Sequence, residues 1–370
     1  MNINSVEHCS GCLLCKELCP KKCITTKKDK LGHIHPVIDT EQCIDCGICA
    51  KACPEISPVE LNAIKEVYAG WDNEDCARTK SSSGGAATLI AREFVKTGGI
   101  VYGCAFVQPF GFEHIRCEDI ASLEKLRGSK YVQSNTGNIW NLLRADLKEG
   151  KKVLFIGTPC QVAAAKRAFK KAENLYTIDL ICHGVPSVDT LKKSLPKDLV
   201  ECEIVSNITF RDSTDFQMKV LDKEGNTIYT RPLYKDWYLK GFFTALYYRG
   251  SCYNCKYAKI DRVGDITLGD FWGVDENAVQ TDTDKGISAI IVNSTNGSWL
   301  LSLIKSKASL TKRGVAEVRE ENRQLNHPSK KSFRYNIYKA LNNVTGFNTA
   351  VKLSLPEIAL KSLLVGIKRR

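Results

Sequence analysis

The chain has 370 residues, enough for two or three domains, and its 43% apolar and 25% charged residues are the balance of a globular protein that buries its own core. No apolar run approaches the ~18–20 residues of a bilayer span, and "MNINSVEHCSGC" lacks the basic-then-apolar order of a secretion signal, so a cytoplasmic protein is expected. The 17 cysteines are then read as metal ligands rather than disulfides, and the formal charge of +12 is uneven, with nine Lys or Arg against one acid, Glu357, in residues 330–370.

At the N-terminus "CSGCLLCKELCP" and "CIDCGICAKACP" repeat one pattern, C-x2-C-x2-C-x3-C-P, the signature of a two-cluster ferredoxin. Two-residue gaps let a tight loop aim three thiolates at one centre, and the fourth cysteine reaches the other cluster. Cys9, Cys12, Cys15 and Cys53 are expected to hold one 4Fe–4S cluster, and Cys43, Cys46, Cys49 and Cys19 the second. A pair of zinc sites is disfavoured, since tetrahedral zinc takes separated cysteine pairs. Cys23 falls outside the pattern as a spare buried thiol. The segment "KDKLGHIHPVIDTE" reads as a short hairpin, with His33 and His35 as hairpin residues rather than ligands. A linker around Pro58 closes this domain, assigned to residues 1–62.

The body of the chain, residues 66–310, alternates helices and strands. "SSSGGAATLIAREFVKTGG" predicts a Ser/Gly loop opening a helix, with Ser81–Ser83 as candidate N-caps and Gly98–Gly99 as the stop. Strand "IVYGCAFV", helix "GNIWNLLRADLKEG", strand "KVLFIG", helix "CQVAAAKRAFKKA" and strand "LYTIDLICHG" follow. The alternation predicts an α/β domain with a mixed, partly parallel sheet, whose ligands sit beyond the carboxyl ends of its strands. Cys160 and Cys182 both fall at such ends, so they can meet. Together with Cys252 and Cys255 of "SCYNCKYAKIDRVGDITLGDFWG" they are the expected ligands of a third cluster. Other readings stand beside this one: a four-cysteine zinc site, or Cys160 as a reactive thiol at a helix N-terminus. Residues 311–370 are assigned to a basic, mainly helical extension, separate from the redox site. Leu355, Ile358, Ala359, Leu363 and Ile367 lie at helical spacing, with Lys361, Lys368, Arg369 and Arg370 around them and Pro356 in the first turn. Docking on the parent protein is favoured over peripheral contact with an anionic membrane. No nucleic-acid partner is expected.

The ordered motifs "SGGAAT", "LRGSKYVQSNTG", "GTPCQ", "ICHG" and "SCYNCKY…GDITLGDFWG" resemble the beta subunit of coenzyme F420-reducing hydrogenase and its relatives, over residues 66–310. The fused ferredoxin domain resembles that of the longer members. The resemblance implies an FAD-dependent oxidoreductase in which a 4Fe–4S cluster beside the flavin trades electrons with ferredoxin-type centres. It implies cluster ligands at Cys160, Cys182, Cys252 and Cys255. It also implies flavin contacts at Ser83, Gly84, Gly85 and Thr88, and at Ser129, Lys130, Tyr131, Gln133 and Ser134. A Ser/Gly loop at a helix start suits a pyrophosphate, and no G-x-G-x-x-G marks a Rossmann site.

The expected function is an anaerobic iron–sulfur flavoprotein oxidoreductase exchanging hydride with an organic substrate. That substrate is coenzyme F420 or, in a bacterium lacking it, another small molecule, with surface-polysaccharide metabolism one setting. Its electron partner is a ferredoxin or another redox protein. The competing expectation is an electron-transfer adaptor that feeds a partner enzyme. Candidate catalytic groups are Asp270 and His183, with Asp265 as a further acid, although carboxylates at strand ends often only cap turns.

Overall fold

The computed structural model describes residue 3, residues 6–212 and residues 215–368, with the side chains of 363–368 outside that set. The N-terminal part is a pseudo-symmetric pair of cysteine loops flanking a hairpin. Strands β1 (Ile24–Lys28) and β2 (Ile34–Ile38) pair antiparallel, with Ile24 opposite Ile38. Each C-x2-C-x2-C loop bends through two left-handed residues at equivalent positions, Gly11 and Leu13 in the first and Asp45 and Gly47 in the second. Leu13 and Gly47 then start the short helices Leu14–Leu18 and Ile48–Ala52, whose C-caps are Cys19 and Cys53. The left-handed bends turn the first three thiols of each loop inward, and one helical turn carries the fourth away.

The body contains an eight-stranded sheet in the order β13-β3-β12-β11-β7-β6-β4-β5. In chain order its strands are β3 (Glu66–Asp72), β4 (Ile100–Val107), β5 (Gly111–Cys117), β6 (Val153–Gly157) and β7 (Leu175–Leu180). After β8 (Asn207–Thr209), β9 (Gln217–Leu221) and β10 (Thr227–Pro232), which form a separate three-stranded sheet, come β11 (Ile266–Asp270), β12 (Ser288–Val292) and β13 (Ala308–Arg313). Strands β4, β6, β7 and β11 run parallel, and all other pairings are antiparallel. The mixed, partly parallel sheet is therefore as expected.

Alternation along the central strands separates two cores. Val101, Leu154 and Ile178 face the helix Ala86–Lys96, packing on its Leu89, Ile90 and Phe94. Ile100, Tyr102, Val153 and Phe155 face the helices Trp140–Lys148 and Pro159–Ala168, meeting Trp140, Leu143 and Val162–Ala165. Period-2 strands buried on both faces read as continuous apolar runs, as "VLFIG" does.

The tail docks on the parent protein, the outcome favoured from its sequence, but it is neither bounded at residue 310 nor a separate element. The boundary at residue 310 cuts through β13, which pairs along β3 from Ala308 to Arg313. The last segment is also not separate. Tyr335 meets Tyr253 edge-on at 5.4 Å, Tyr338 lies 5.1 Å from Tyr247, and Phe347 lies 6.2 Å from Tyr247, all within one buried cluster. Asn342 Nδ2 reaches the hairpin at Lys30 O, 3.3 Å away, and Lys240 Nζ donates to Ser362 Oγ at 2.8 Å. Tyr335 and Tyr338 are three residues apart on one helix face, and that aromatic face outweighs the surrounding charge. Pro356 opens the last helix, Pro356–Lys368, as expected, with Leu355 buried before it. Arg369, Arg370 and the side chains of Leu363, Ile367 and Lys368 lie outside the described residues. Among the described residues no helix is long and apolar enough to cross a membrane.

Candidate redox site

The thiols gather as the two N-terminal motifs predict. Cys12 lies among Cys9, Cys15 and Cys53, and burial with mutual repulsion raises its pKa and that of Cys53, while Cys15 is pushed up to about 12. Iron, being cationic, offsets that repulsion. Cys19, Cys43, Cys46 and Cys49 line a second cleft, with Cys46 exposed at its surface. Cys23 is buried as expected but is not remote from the ligands: it lines this cleft too, with its sulfur 3.4 Å from that of Cys19.

Cys160, Cys182, Cys252 and Cys255 line one further cleft beyond the ends of β6 and β7. Cys160 falls in the first turn of the helix Pro159–Ala168 and Cys182 two residues beyond β7. The C-x2-C loop is carried to them by Arg262, which is buried against Asp179 and donates to Tyr257 O at 2.8 Å and Leu180 O at 3.1 Å. The reactive-thiol reading of Cys160 does not fit this place, because burial pushes its pKa up to about 11.

A cavity of about 550 Å³ opens over the carboxyl edge of the sheet, within the size range of ligand sites. Cys160 and Cys182 form part of its wall, so it adjoins the third thiol group. Ser83, Gly85, Thr88, Ser129, Lys130, Tyr131, Gln133, Ser134, His183 and Asp270 also line it. The helix Ala86–Lys96 starts at Gly85, whose φ of 84° and missing side chain leave the first backbone N–H groups uncapped beside the cavity. The serines are therefore not N-caps. Ser83 Oγ donates to Ile287 O at 2.8 Å, and Ser82 Oγ accepts from Ser129 N at 2.8 Å, which ties the two lining loops together.

Several predicted residues have other partners. Gly84 does not line the cavity; it is pressed between β3 and β12, where a Cβ would stand 2.4 Å from Gly70 O and 2.8 Å from Ser288 N. Lys130 lines the cavity, but its ammonium donates to Leu126 O at 2.8 Å and Arg127 O at 2.6 Å, and burial lowers its pKa to about 8. Ser134 Oγ meets His114 Nδ1 at 3.0 Å and Gln161 Nε2 at 2.9 Å in a buried network. Gln133 Nε2 donates to Ser10 O at 3.1 Å, joining the cavity wall to the first cysteine loop. Asp265 accepts from Thr177 N at 2.8 Å and Ser294 Oγ at 2.7 Å, away from the cavity, and so has a structural role.

Asp270 ends β11 with one oxygen bound to Arg211 Nη1 at 2.6 Å and the other, Oδ1, buried without a hydrogen-bond partner among the described residues. Arg211 lies over the Phe216 and Trp272 rings, 5.1 and 5.2 Å from their centroids, and Tyr131 stacks on Phe242 at 4.6 Å. His183 is exposed and lines both the cavity and the third thiol cleft. The sequence reading missed Arg211, the aromatic box and His114. It missed Trp140 and Thr136 as well, which donate to Cys12 O at 3.0 and 2.9 Å and seat the first cluster loop. Thr136 and Trp272 belong to motifs already singled out, and Tyr131 of the box was itself expected to line the site.

Comparison with known proteins finds two matching family models. Residues 150–318 match the family described as the C-terminal part of the beta subunit in coenzyme F420 hydrogenase/dehydrogenase, and residues 8–56 match the 4Fe–4S dicluster domain. The chain is similar to the F component of the F420H2 dehydrogenase of Methanosarcina mazei, 22% identical over 278 residues that cover 71% of this chain and 76% of that one. It is 24% identical over 341 residues to an uncharacterized protein of Methanocaldococcus jannaschii, covering 78% and 84%. A chain of the F420-reducing NiFe hydrogenase complex from Methanosarcina barkeri superposes with a TM-score of 0.47 at 19% identity, covering 72% of this chain and 90% of that one.

Proposed function

The chain carries the C-terminal domain of coenzyme F420 hydrogenase/dehydrogenase beta subunits behind a 4Fe–4S dicluster domain, and on that premise we propose that it is an iron–sulfur flavoprotein oxidoreductase. Cys160, Cys182, Cys252 and Cys255 would hold a third cluster beside the two ferredoxin-type ones, and the adjoining cavity would hold FAD, which would supply hydride exchange with an organic substrate. The observation that carries the reading is the shared wall: Cys160 and Cys182 border both the thiol cleft and a cavity whose far side is an uncapped helix N-terminus.

When bound, FAD supplies hydride chemistry and each cluster a one-electron relay. The chain's own residues do the rest. The backbone N–H groups that open the helix Ala86–Lys96 bind the pyrophosphate, with Ser82 and Ser129 holding the loop shut behind it. Tyr131, stacked on Phe242, offers a flat apolar wall to a ring system. Asp270 Oδ1 accepts a hydrogen bond or proton from the substrate while Arg211 fixes the other oxygen. His183, exposed at the cavity mouth, is the second proton carrier. Tyr257 packs among Cys12, Cys160 and Cys255, so one buried ring separates the first cluster's ligands from the third's. The exposed Cys46, with Ile44 58% exposed beside it, is where a ferredoxin or other redox protein meets the chain.

The test is anaerobic reconstitution followed by assay of iron, acid-labile sulfide and flavin. About twelve iron and about twelve sulfide per chain are expected, as three 4Fe–4S clusters, with one FAD. The flavin band should bleach with reduced ferredoxin and recover with a small-molecule oxidant. Iron that stops at about eight and no retained flavin overturn the reading. Loaded protein that exchanges electrons only with other proteins supports the adaptor instead.

A further inference from the structure

We propose that Arg249 is a positioning residue that acts as the counter-charge of the cluster on Cys9, Cys12, Cys15 and Cys53, raising its reduction potential and drawing electrons inward from the outer cluster. The same charge faces the third thiol group, an extension that rests on the function proposed above.

Arg249 is 1% exposed and sits in the seam between the ferredoxin domain and the body. Its Nε donates to Cys9 O at 2.6 Å, its Nη2 to Ile34 O at 2.8 Å and its Nη1 to Gln133 Oε1 at 3.1 Å. A fourth partner, His35 Nδ1, stands 3.4 Å from Nη2 with Asp29 behind it; none of the four is a carboxylate, and among the described residues no carboxylate pairs with Arg249 directly. The buried arginines Arg262 and Arg211 each pair with an aspartate, whereas Arg78 is held, like Arg249, by neutral oxygens, those of Gly286, Thr281 and the Asp282 backbone; Arg249 differs from it in lying against a cysteine loop. A buried cation without a counter-charge is costly, so its retention calls for a negative group nearby.

The geometry identifies that group. The guanidinium lies against the first cysteine loop so closely that a Cβ on Gly11, between Cys9 and Cys12, would stand 2.6 Å from Nη1 and 2.7 Å from Cζ. On the other side Arg249 O accepts from Cys252 N at 2.9 Å, and Arg249 N donates to Val185 O at 2.9 Å, three residues beyond Cys182. The cation therefore stands where the loops of two thiol groups meet. A 4Fe–4S cluster with four thiolates is dianionic when oxidised and trianionic when reduced. A fixed cation in a dry seam favours the more negative form, and net local charge is one of the terms that set the potential. The outer group of Cys19, Cys43, Cys46 and Cys49 makes no contact with Arg249 among the described residues, and its Cys46 faces solvent. The transfer is one electron from the outer to the inner cluster, with no bond made or broken.

The test uses the full chain, loaded anaerobically, in potentiometric titrations followed by electron paramagnetic resonance. The outer cluster is identified by its loss in Cys46→Ser. Arg249→Gln should make the inner cluster about tenfold harder to reduce, a fall of ~59 mV for a one-electron couple, and leave the outer cluster unmoved. Arg249→Lys, which keeps the charge but not the fork, should retain most of the original potential. Equal shifts in Gln and Lys, or no shift in either, overturn the proposal. If Gln fails to load the inner cluster and Lys loads it, charge is again what the site needs. If neither loads, the hydrogen-bonding fork is what matters and the proposal falls. A chain with about eight iron and a movable inner potential would sink the third cluster while leaving Arg249 in its role.

Discussion

Replacing Tyr338 with Ala tests whether the basic C-terminal segment is part of the core. Tyr338 is fully buried, packed on Tyr247 at 5.1 Å and Phe347 at 6.3 Å, with its hydroxyl 3.0 Å from Asn342 Oδ1. Truncating a buried aromatic side chain costs about 3–5 kcal/mol, from lost transfer energy and the cavity left behind. Tyr338→Phe keeps the ring and removes the donor to Asn342, which should cost about 1 kcal/mol. Phe333→Ala, at a site 70% exposed on the same helix, should stay within about 0.5 kcal/mol. The assay is anaerobic thermal unfolding of the three variants at equal iron content. With melting shifted by roughly 2–4 °C per kcal/mol for domains of ~150–250 residues, Tyr338→Ala should melt well below the others. The damage should also reach the third thiol group. Tyr247 and Tyr248 share a core cluster with Tyr253, the neighbour of Cys252, so the variant should lose iron faster to a chelator. If Tyr338→Ala melts with Phe333→Ala, the tail is an appendage after all and the packing argument is wrong.

Cys255→Ser should lower the iron content by about four per chain, one 4Fe–4S cluster, and leave the two N-terminal clusters reducible by dithionite, since all their ligands lie within residues 9–53. Flavin reduction by ferredoxin that survives this change would break the proposed path. Gly84→Ala places a methyl against Gly70 O and Ser288 N, both backbone, so the Ser83–Gly85 loop must move at a cost of about 1–3 kcal/mol. Flavin should wash out on gel filtration while iron stays, and full flavin retention would count against the loop. His114 is buried with its pKa lowered to about 4, below the unfolded value of ~6.5. The unfolded chain binds the extra proton, so stability should fall by roughly 2–4 kcal/mol as pH drops from about 6.5 to about 4. His114→Gln should flatten that slope relative to the unaltered chain in parallel denaturation curves, and an unchanged slope would assign the acid sensitivity elsewhere.

Local features were legible in the amino-acid order. The two C-x2-C-x2-C-x3-C-P repeats announce their clusters because the ligands are neighbours in the chain, and the loop's own left-handed residues, Gly11, Leu13, Asp45 and Gly47, aim them. Strand and helix periods announced the parallel sheet, and with it the meeting of Cys160 and Cys182 at adjacent strand ends. Features that depend on partners far along the chain came from packing alone. Arg249 acquires its place from Cys9, 240 residues earlier, and Asp270 gains its orientation from Arg211, 59 residues before it. Gly84 is excluded from the cavity by Gly70 and Ser288, which reach it from two other strands. The tail reads as charged because its lysines and arginines are many, yet Tyr335 and Tyr338 bind it to the body through a cluster whose other members begin with Leu31 of the hairpin. Composition and spacing report the chemistry of a residue and the face it shares with its neighbours. Which distant group meets that face is set when apolar area from several segments is buried at once, and that choice is made by the packed core as a whole.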